Sequence, residues 1–588
     1  MSSRLLRYVS AVLWLVPVLI CGAEQKATIL ESGHVEYKVA VLGNNSNPNV
    51  EWNAANLNRL RDLGFNTIQL NLAWGWRPND EPLNIEDVID LPADLKEKLP
   101  QVVPLRSDPS PAARAKRRAN LRQRIALCHA AGLRTIFHFG APYNAHERYG
   151  DAPPNCLMDP RTTERYVALL TAFAAEYPGV DDLLIYTYDQ DAWLCNEFGP
   201  CEASRGIPLH ERLPPFLRVL TGTWLKLNPK GRIWWEPWEL SAGQVYRCVD
   251  QFDANGFGLA LHCNIAECMS TLPVDRWLKN VCTLARERDI PVMVEYNLGG
   301  PSEELESFRY AQHPLVTWRG LRAIASVPGV VGIKEYYGLE PTKEDPNLRM
   351  TSLFFKNPRL TETRALQLLA KPYGRTAGDM EKFWTLTSEA MEFFPWDASW
   401  FFRYVGQTTP VHSMNAAFIR GQVAHTPAWE SGRRAIFMKT DNNECDPWML
   451  EDVQLRCDMA AVRMAAALQL GQKIKGDVPR DFAPEFAQAL MELNEFRRRA
   501  VGYVCHLRET NLANEMRQCV ANHQLMRERL PSELAAVLKI DQANQQQAEP
   551  IGAALALLEK DQADFLKTYF VVPNKPLNQG GFNVTSRW

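Results

Sequence analysis

Short β-like runs alternate with helix-like runs from about residue 36 to residue 340, and nothing else in the chain restricts its fold as much. Strands joined through helical crossovers lie parallel, and a parallel sheet is buried on both faces. The β-like runs fall at residues 37–42, 67–72, 133–139, 183 onward, 232–235, 258–262, 291–295 and 330–334. Helical periodicity fills 52–63, 117–131, 162–177, 209–227, 274–288 and 315–326, with a short helix near Ala242. Gly64 and Gly132 stand where a helix C-terminus favours glycine. Eight strands with intervening helices predict a closed (β/α)8 barrel. An open doubly wound sheet would show a GxGxxG turn, and none is present.

Residues 81–111, rich in Pro, Asp and Leu, predict an elaborated loop. The basic run of Arg114, Lys116, Arg117, Arg118, Arg122 and Arg124 reads as a solvated helix face. Beyond about residue 345 strand signals fade. Helical periods follow at 362–369, 380–393, 455–470, 485–504, 512–529 and 553–566, with Val462, Ala466 and Leu470 at helix spacing. The expected organisation is a signal peptide over 1–23, a barrel over 24–345 and an all-α C-terminal domain over 346–588. Trp396, Trp400, Phe401 and Phe402 read as core aromatics of that last part.

Arg4 and Arg7 precede an apolar stretch at 8–20, and Cys21-Gly22-Ala23 offers a cleavage site. That pattern predicts export, with cleavage after Ala23 favoured over lipidation of Cys21. The apolar stretch is short for a membrane span, so no stable span is expected. A net charge of -3 gives no basic field for nucleic acid, which is not expected as a partner. Of the 13 cysteines, Cys195 with Cys201 and Cys263 with Cys268 are local pairs. The first pair is predicted to lie within disulfide reach, while Cys128 and Cys282 read as core thiols. No CxxC or HExxH occurs, so neither a metal nor a cofactor is expected. The oligomeric state stays open.

A barrel gathers the C-terminal ends of its strands on one face. Those ends carry Asn71, Trp74 and Trp76; His138 and Tyr143; Asp189, Asp191 and Trp193; Glu236, Trp238 and Glu239; His262, Asn264 and Glu267; Glu295, Tyr296 and Asn297; Glu335, Tyr336 and Tyr337. Aromatic faces stack on sugar rings, polar side chains hold hydroxyls, and two carboxyl groups can cleave a glycosidic bond. Trp74, Trp193 and Trp238 are the candidate platforms. Glu335, next to Lys334, either pairs with it or points outward.

On these residues the chain resembles the (β/α)8 glycoside hydrolases over roughly residues 36–340. The resemblance is specific at YDQDAW, ending strand four, and VMVEYN, ending strand seven. In the large retaining superfamily of such barrels strand four carries an Asn-Glu pair and strand seven the nucleophile. Glu295 matches the latter, whereas Asp189-Gln190-Asp191 stands where Asn-Glu would be. Family 20 hexosaminidases carry Asp-Glu on strand four, a partial match. The glucuronidases of families 67 and 115 are similar in following a barrel with a helical region. The resemblance implies a secreted hydrolase of an oligo- or polysaccharide. Asp189 or Asp191 would be the general acid, with a raised pKa. Glu295 would stay ionised as base or nucleophile. The shorter Asp side chain leans towards inversion. The rival expectation is a barrel without catalysis that binds glycan or scaffolds other proteins.

Overall fold

The computed structural model describes residues 27–43, 50–72, 80–99, 107–144, 154–188, 191–238, 240–262, 274–300, 308, 310–395, 438–439, 444–445 and 447–522, with a few positions between 553 and 564. The expected signal peptide, Trp396–Phe402 and the pair Cys263 and Cys268 lie outside them.

Eight parallel strands close into a barrel in sequence order. They are β1 (Tyr37–Val41), β2 (Thr67–Gln69), β3 (Arg134–Gly140), β4 (Asp182–Tyr186), β5 (Ile233–Glu236), β6 (Phe257–His262), β7 (Val292–Tyr296) and β8 (Val330–Glu335). Closure comes from β1 pairing with β8, Val39 opposite Lys334. The helices around them are α1 (Ala54–Leu63), α2 (Pro111–Ala130), α3 (Pro160–Glu176), α4 (Leu209–Leu227), α5 (Ala242–Val249), α6 (Arg276–Glu287), α7 (Pro314–Ala325) and α8 (Pro346–Lys356). Asn53 caps α1 through its side chain, and Gly64 ends the helix at φ 107°, a backbone that a β-carbon would strain. The last of them, α8, packs on both α7 and α1 and so completes the ring.

Side-chain alternation sorts the strands into two layers. Val39, Ile136, Leu184, Trp234, Ala260 and Met293 form a small apolar cluster of their own inside the barrel. Their neighbours in sequence, such as Ala40, Phe137, Leu183, Ile185, Ile233, Leu259 and Val294, join the larger core between strands and helices.

Two expectations about the second βα unit are corrected. The described part of the stretch after β2, residues 80–99, is packed, with a short helical turn at Ile85–Asp87 and a helix at Ala93–Lys98. The basic run is a solvated face only in part: Lys116 and Arg122 are exposed, but Arg117 is fully buried and Arg124 is 7% exposed. Arg114 donates to the Glu86 carbonyl at 2.9 Å and Arg118 to that of Val88 at 2.8 Å. Arg124 donates to the Leu70 carbonyl at 2.7 Å and pairs with Glu81 at 3.3 Å. The unpaired carbonyls of an irregular segment need donors, and guanidinium groups on α2 provide them.

Beyond the ring, α9 (Glu362–Ala370) leads to α10 (Ala377–Phe393). Two long helices follow, α11 (Pro447–Ile474) and α12 (Ala483–Asn522). They pack on each other, α11 packs on α10, and α10 packs on α7 of the barrel. Phe383 meets Phe486 with ring centroids 5.2 Å apart, and Phe394 meets Phe496 at 4.9 Å. The separate helical periods at 485–504 and 512–529 become one helix through residue 522.

Candidate active site

Two residues beyond the apolar cluster, the inward phase turns polar. Gln69, His138, Tyr186, Glu236, His262, Glu295 and Lys334 share it, one each from β2 to β8. All but His262, at 9%, are exposed by 1% or less.

The chain of contacts runs through the ring. Gln69 Nε2 lies 3.3 Å from His138 Nδ1, and His138 Nε2 lies 2.9 Å from Glu236 Oε2. Burial, with Lys334 nearby, holds His138 well below its ordinary pKa, so the imidazole is neutral. A neutral ring accepts on one nitrogen and donates on the other. The Gln69 amide donates to Nδ1, so the proton sits on Nε2 and is given to Glu236.

On the other side, Lys334 Nζ donates to Glu295 Oε1 and stands 3.9 Å from Glu236 Oε1. His262 Nδ1 is 3.7 Å from Glu295 Oε2. Burial lifts the Glu295 pKa to about 7; the adjoining Glu236 carboxyl adds to the rise and Lys334 opposes it. This runs against the expectation that Glu295 stays ionised: near pH 7 about half of it holds a proton. Burial pulls Lys334 down, yet Glu295 and Glu236 more than offset this and keep it a cation. Two touching carboxyls with one ammonium hold one shared proton most cheaply, because two buried like charges repel.

Trp238, 6% exposed, lies across this ring. Its ring centroid is 5.8 Å from His138, 5.5 Å from Tyr186 and 6.0 Å from His262. Tyr186 reaches its place because Gly140 faces it: a β-carbon there would stand 2.5 Å from the phenol ring. Five of the residues singled out in the sequence thus converge: His138, Glu236, Trp238, His262 and Glu295.

Others serve the frame. Asn71 bridges β2 to β3, exchanging bonds with the His138 backbone at 2.8 and 3.0 Å and donating to Pro82 at 2.9 Å. Tyr296 is in the outward phase, its hydroxyl donating to the Val316 carbonyl of α7 at 3.2 Å. Glu335 is outward too. Its carboxylate accepts from the amides of Leu298, Tyr337 and Gly338 at 2.8, 2.7 and 2.9 Å. Burial still raises its pKa to about 7 against those bonds. Tyr336 is 6% exposed, its ring centroid 6.2 Å from that of Tyr337.

Asp191 is fully buried and accepts from Asn84 at 3.3 Å, while Asn84 accepts from the Gly140 amide at 2.9 Å. Tyr143, buried, pairs with Ala192 in an antiparallel bridge, and Trp193 packs edge-on against Tyr188 at 4.4 Å. Trp74, Asp189 and Asn264 lie outside the described residues. Lys334, Gln69 and Tyr186 were missed from the sequence. Their signal was phase: each stands two residues past an inward apolar position or pairs across from one that does.

The Cys195–Cys201 expectation is half met. The two thiols are close, but Cys156 joins them and all three are free.

No family model matches the chain, and no curated protein matches it in sequence. Among solved structures, a GH138 enzyme targeting pectin rhamnogalacturonan II superposes with a TM-score of 0.57 at 10% identity, over 88% of this chain and 62% of that one. The chain therefore spans less than two thirds of that structure's length. A variant of Thermobaculum terrenum O-GlcNAc hydrolase gives 0.38 at 10% identity over 93% and 99%. A Prevotella bryantii endo-beta-mannanase/endo-beta-glucanase gives 0.37 at 11% identity over 56% and 50%. The fold is a glycoside-hydrolase-like (β/α)8 barrel followed by helices.

Proposed function

We propose that the chain is a glycoside hydrolase acting on an oligo- or polysaccharide, with Glu295 as its proton donor. One observation carries this: two buried carboxyls, Glu236 and Glu295, meet at the C-terminal end of the barrel, and the Glu295 pKa is raised to about 7. A carboxyl that keeps its proton near neutrality suits a general acid. This reverses the expected roles. Glu295 gives its proton to the leaving glycosidic oxygen. Asp189, three residues past β4 in the sequence, is assigned the other role and accepts a proton from the water whose oxygen attacks the anomeric carbon. Glu236 holds the Glu295 proton in place, and His138 orients Glu236. Asp191, bonded to Asn84, positions the strand-four loop. Trp238 offers an apolar face to a sugar ring.

Another observation favours a second reading, a barrel that binds glycan or scaffolds without cleaving it. Glu236 and Glu295 are both fully shielded, and Lys334 ion-pairs with Glu295, as in a purely structural charge cluster. Reducing-sugar release from a polysaccharide panel that includes pectic glycans separates the two. Release by the wild type and none by Glu295→Gln is the expected result. Glycan binding without release by either protein would favour the second reading.

A further inference from the structure

Beside the barrel mouth, on the segments after β3 and β4, three cysteines converge. Cys156 precedes α3; Cys195 and Cys201 lie between β4 and α4. Their exposures are 8%, 7% and 9%, and their sulfurs all lie within 4.8 Å of one another. Among the described residues no other group of cysteine, histidine and acidic side chains does this. Cys128, Cys248, Cys282 and Cys457 are buried elsewhere in the fold.

We propose that Cys156, Cys195 and Cys201 bind a zinc ion that fastens the loops after β3 and β4 together. Zn–S bonds of about 2.3 Å in a tetrahedron put sulfurs about 3.8 Å apart. The Cys156 and Cys201 sulfurs are 3.8 Å apart. A disulfide needs about 2.05 Å, well short of the Cys156–Cys201 separation, and joins only two of the three sulfurs. The Ser204 hydroxyl, fully buried, stands 3.1 Å from Cys156 Sγ, where it can donate a hydrogen bond to a metal-bound thiolate. The Met158 amide points at Cys156 Sγ from 3.4 Å, a bond that favours a thiolate. Three thiolates with Zn²⁺ leave one net negative charge. Arg212, 4% exposed, stands beside it, its guanidinium anchored on the Cys195 and Ile207 carbonyls at 2.9 Å each. Three thiolate donors suit zinc. The site would join Cys156 to Cys201 across 45 positions of sequence.

The test uses the full chain, purified without chelator, with bound metal measured by plasma mass spectrometry. About one zinc per chain is expected, unchanged in Cys282→Ala and at least tenfold lower in Cys156→Ser or Cys201→Ser. Should those variants fail to fold, cobalt substitution of the wild type reads the same site. Thiolate-to-cobalt charge transfer and tetrahedral visible bands are the expected spectrum. Metal-free protein that also takes up no cobalt, or a disulfide between any two of the three found by peptide mass mapping, would overturn the assignment.

Discussion

Glu295 is acted on from two sides, and each neighbour can be removed. Glu236 raises its pKa and Lys334 lowers it. Glu236→Gln therefore lowers the pKa of the proton donor and moves the alkaline limb of kcat to lower pH. Lys334→Met moves that limb the other way and leaves a buried carboxyl pair without its cation, which costs about 3–5 kcal/mol of stability. Limbs that moved in the same direction would contradict the shared-proton arrangement. Glu295→Gln is expected to lower kcat by about 10²–10⁴-fold with folding retained, read by single-turnover kinetics and circular dichroism. At this scale the sequence was legible where a carboxylate or imidazole ended an apolar strand. His138, Glu236, His262 and Glu295 were found that way. It was misread where adjacent polar residues blurred the phase. Lys334 and Glu335 are neighbours, so one of them faces inward and the other the helices. The count from the apolar inner positions assigns Lys334 inward, as observed. Tyr296 fails the same count beside Glu295.

Among the elements, β1 to β8 stand within a few residues of their expected places, because strand and helix periods differ sharply and glycines mark the helix ends. The segment after β2 was not legible in the same way. Its Pro- and Asp-rich composition reads as loop, and that composition is silent on what satisfies its backbone. The answer lies in α2, whose arginines reach its carbonyls, and in Asn84, which joins the end of β3 to Asp191. The segment is thus a brace for the strand-four loop. Asn84→Ala removes both bonds within a buried site and is expected to destabilise the fold by about 1–3 kcal/mol. Denaturant melts would register this. A lower kcat would accompany it, since the strand-four loop that carries the proposed base Asp189 loosens while Glu295 keeps its surroundings. A neutral Asn84→Ala would show the brace to be dispensable.

For the molecule as a whole, the buried titratable groups pull its stability in opposite directions with pH. Glu295 and Glu335, both raised to about 7, and Asp182, raised to about 6 by burial, hold protons in the folded state that the unfolded chain has already released. Their contribution is fully present below the unfolded carboxylate range and is lost as pH climbs through the folded values. His138 is held well below its ordinary pKa, and burial takes His313 down to about 4. Their contribution is present above about pH 6.5 and is lost as pH falls. The wild-type curve is the sum of these opposed slopes, so its shape alone assigns nothing. Subtracting the Glu295→Gln curve isolates the carboxyl cluster. From about pH 4.5 to about pH 7 the folded wild type binds a proton at Glu295 that the unfolded chain does not, so its stability relative to the variant must decline across that window. Urea melts of both proteins at half-unit pH steps measure the difference. A difference that stayed level or rose would mean that Glu295 is ionised in the fold, and it would return to this residue the role of base.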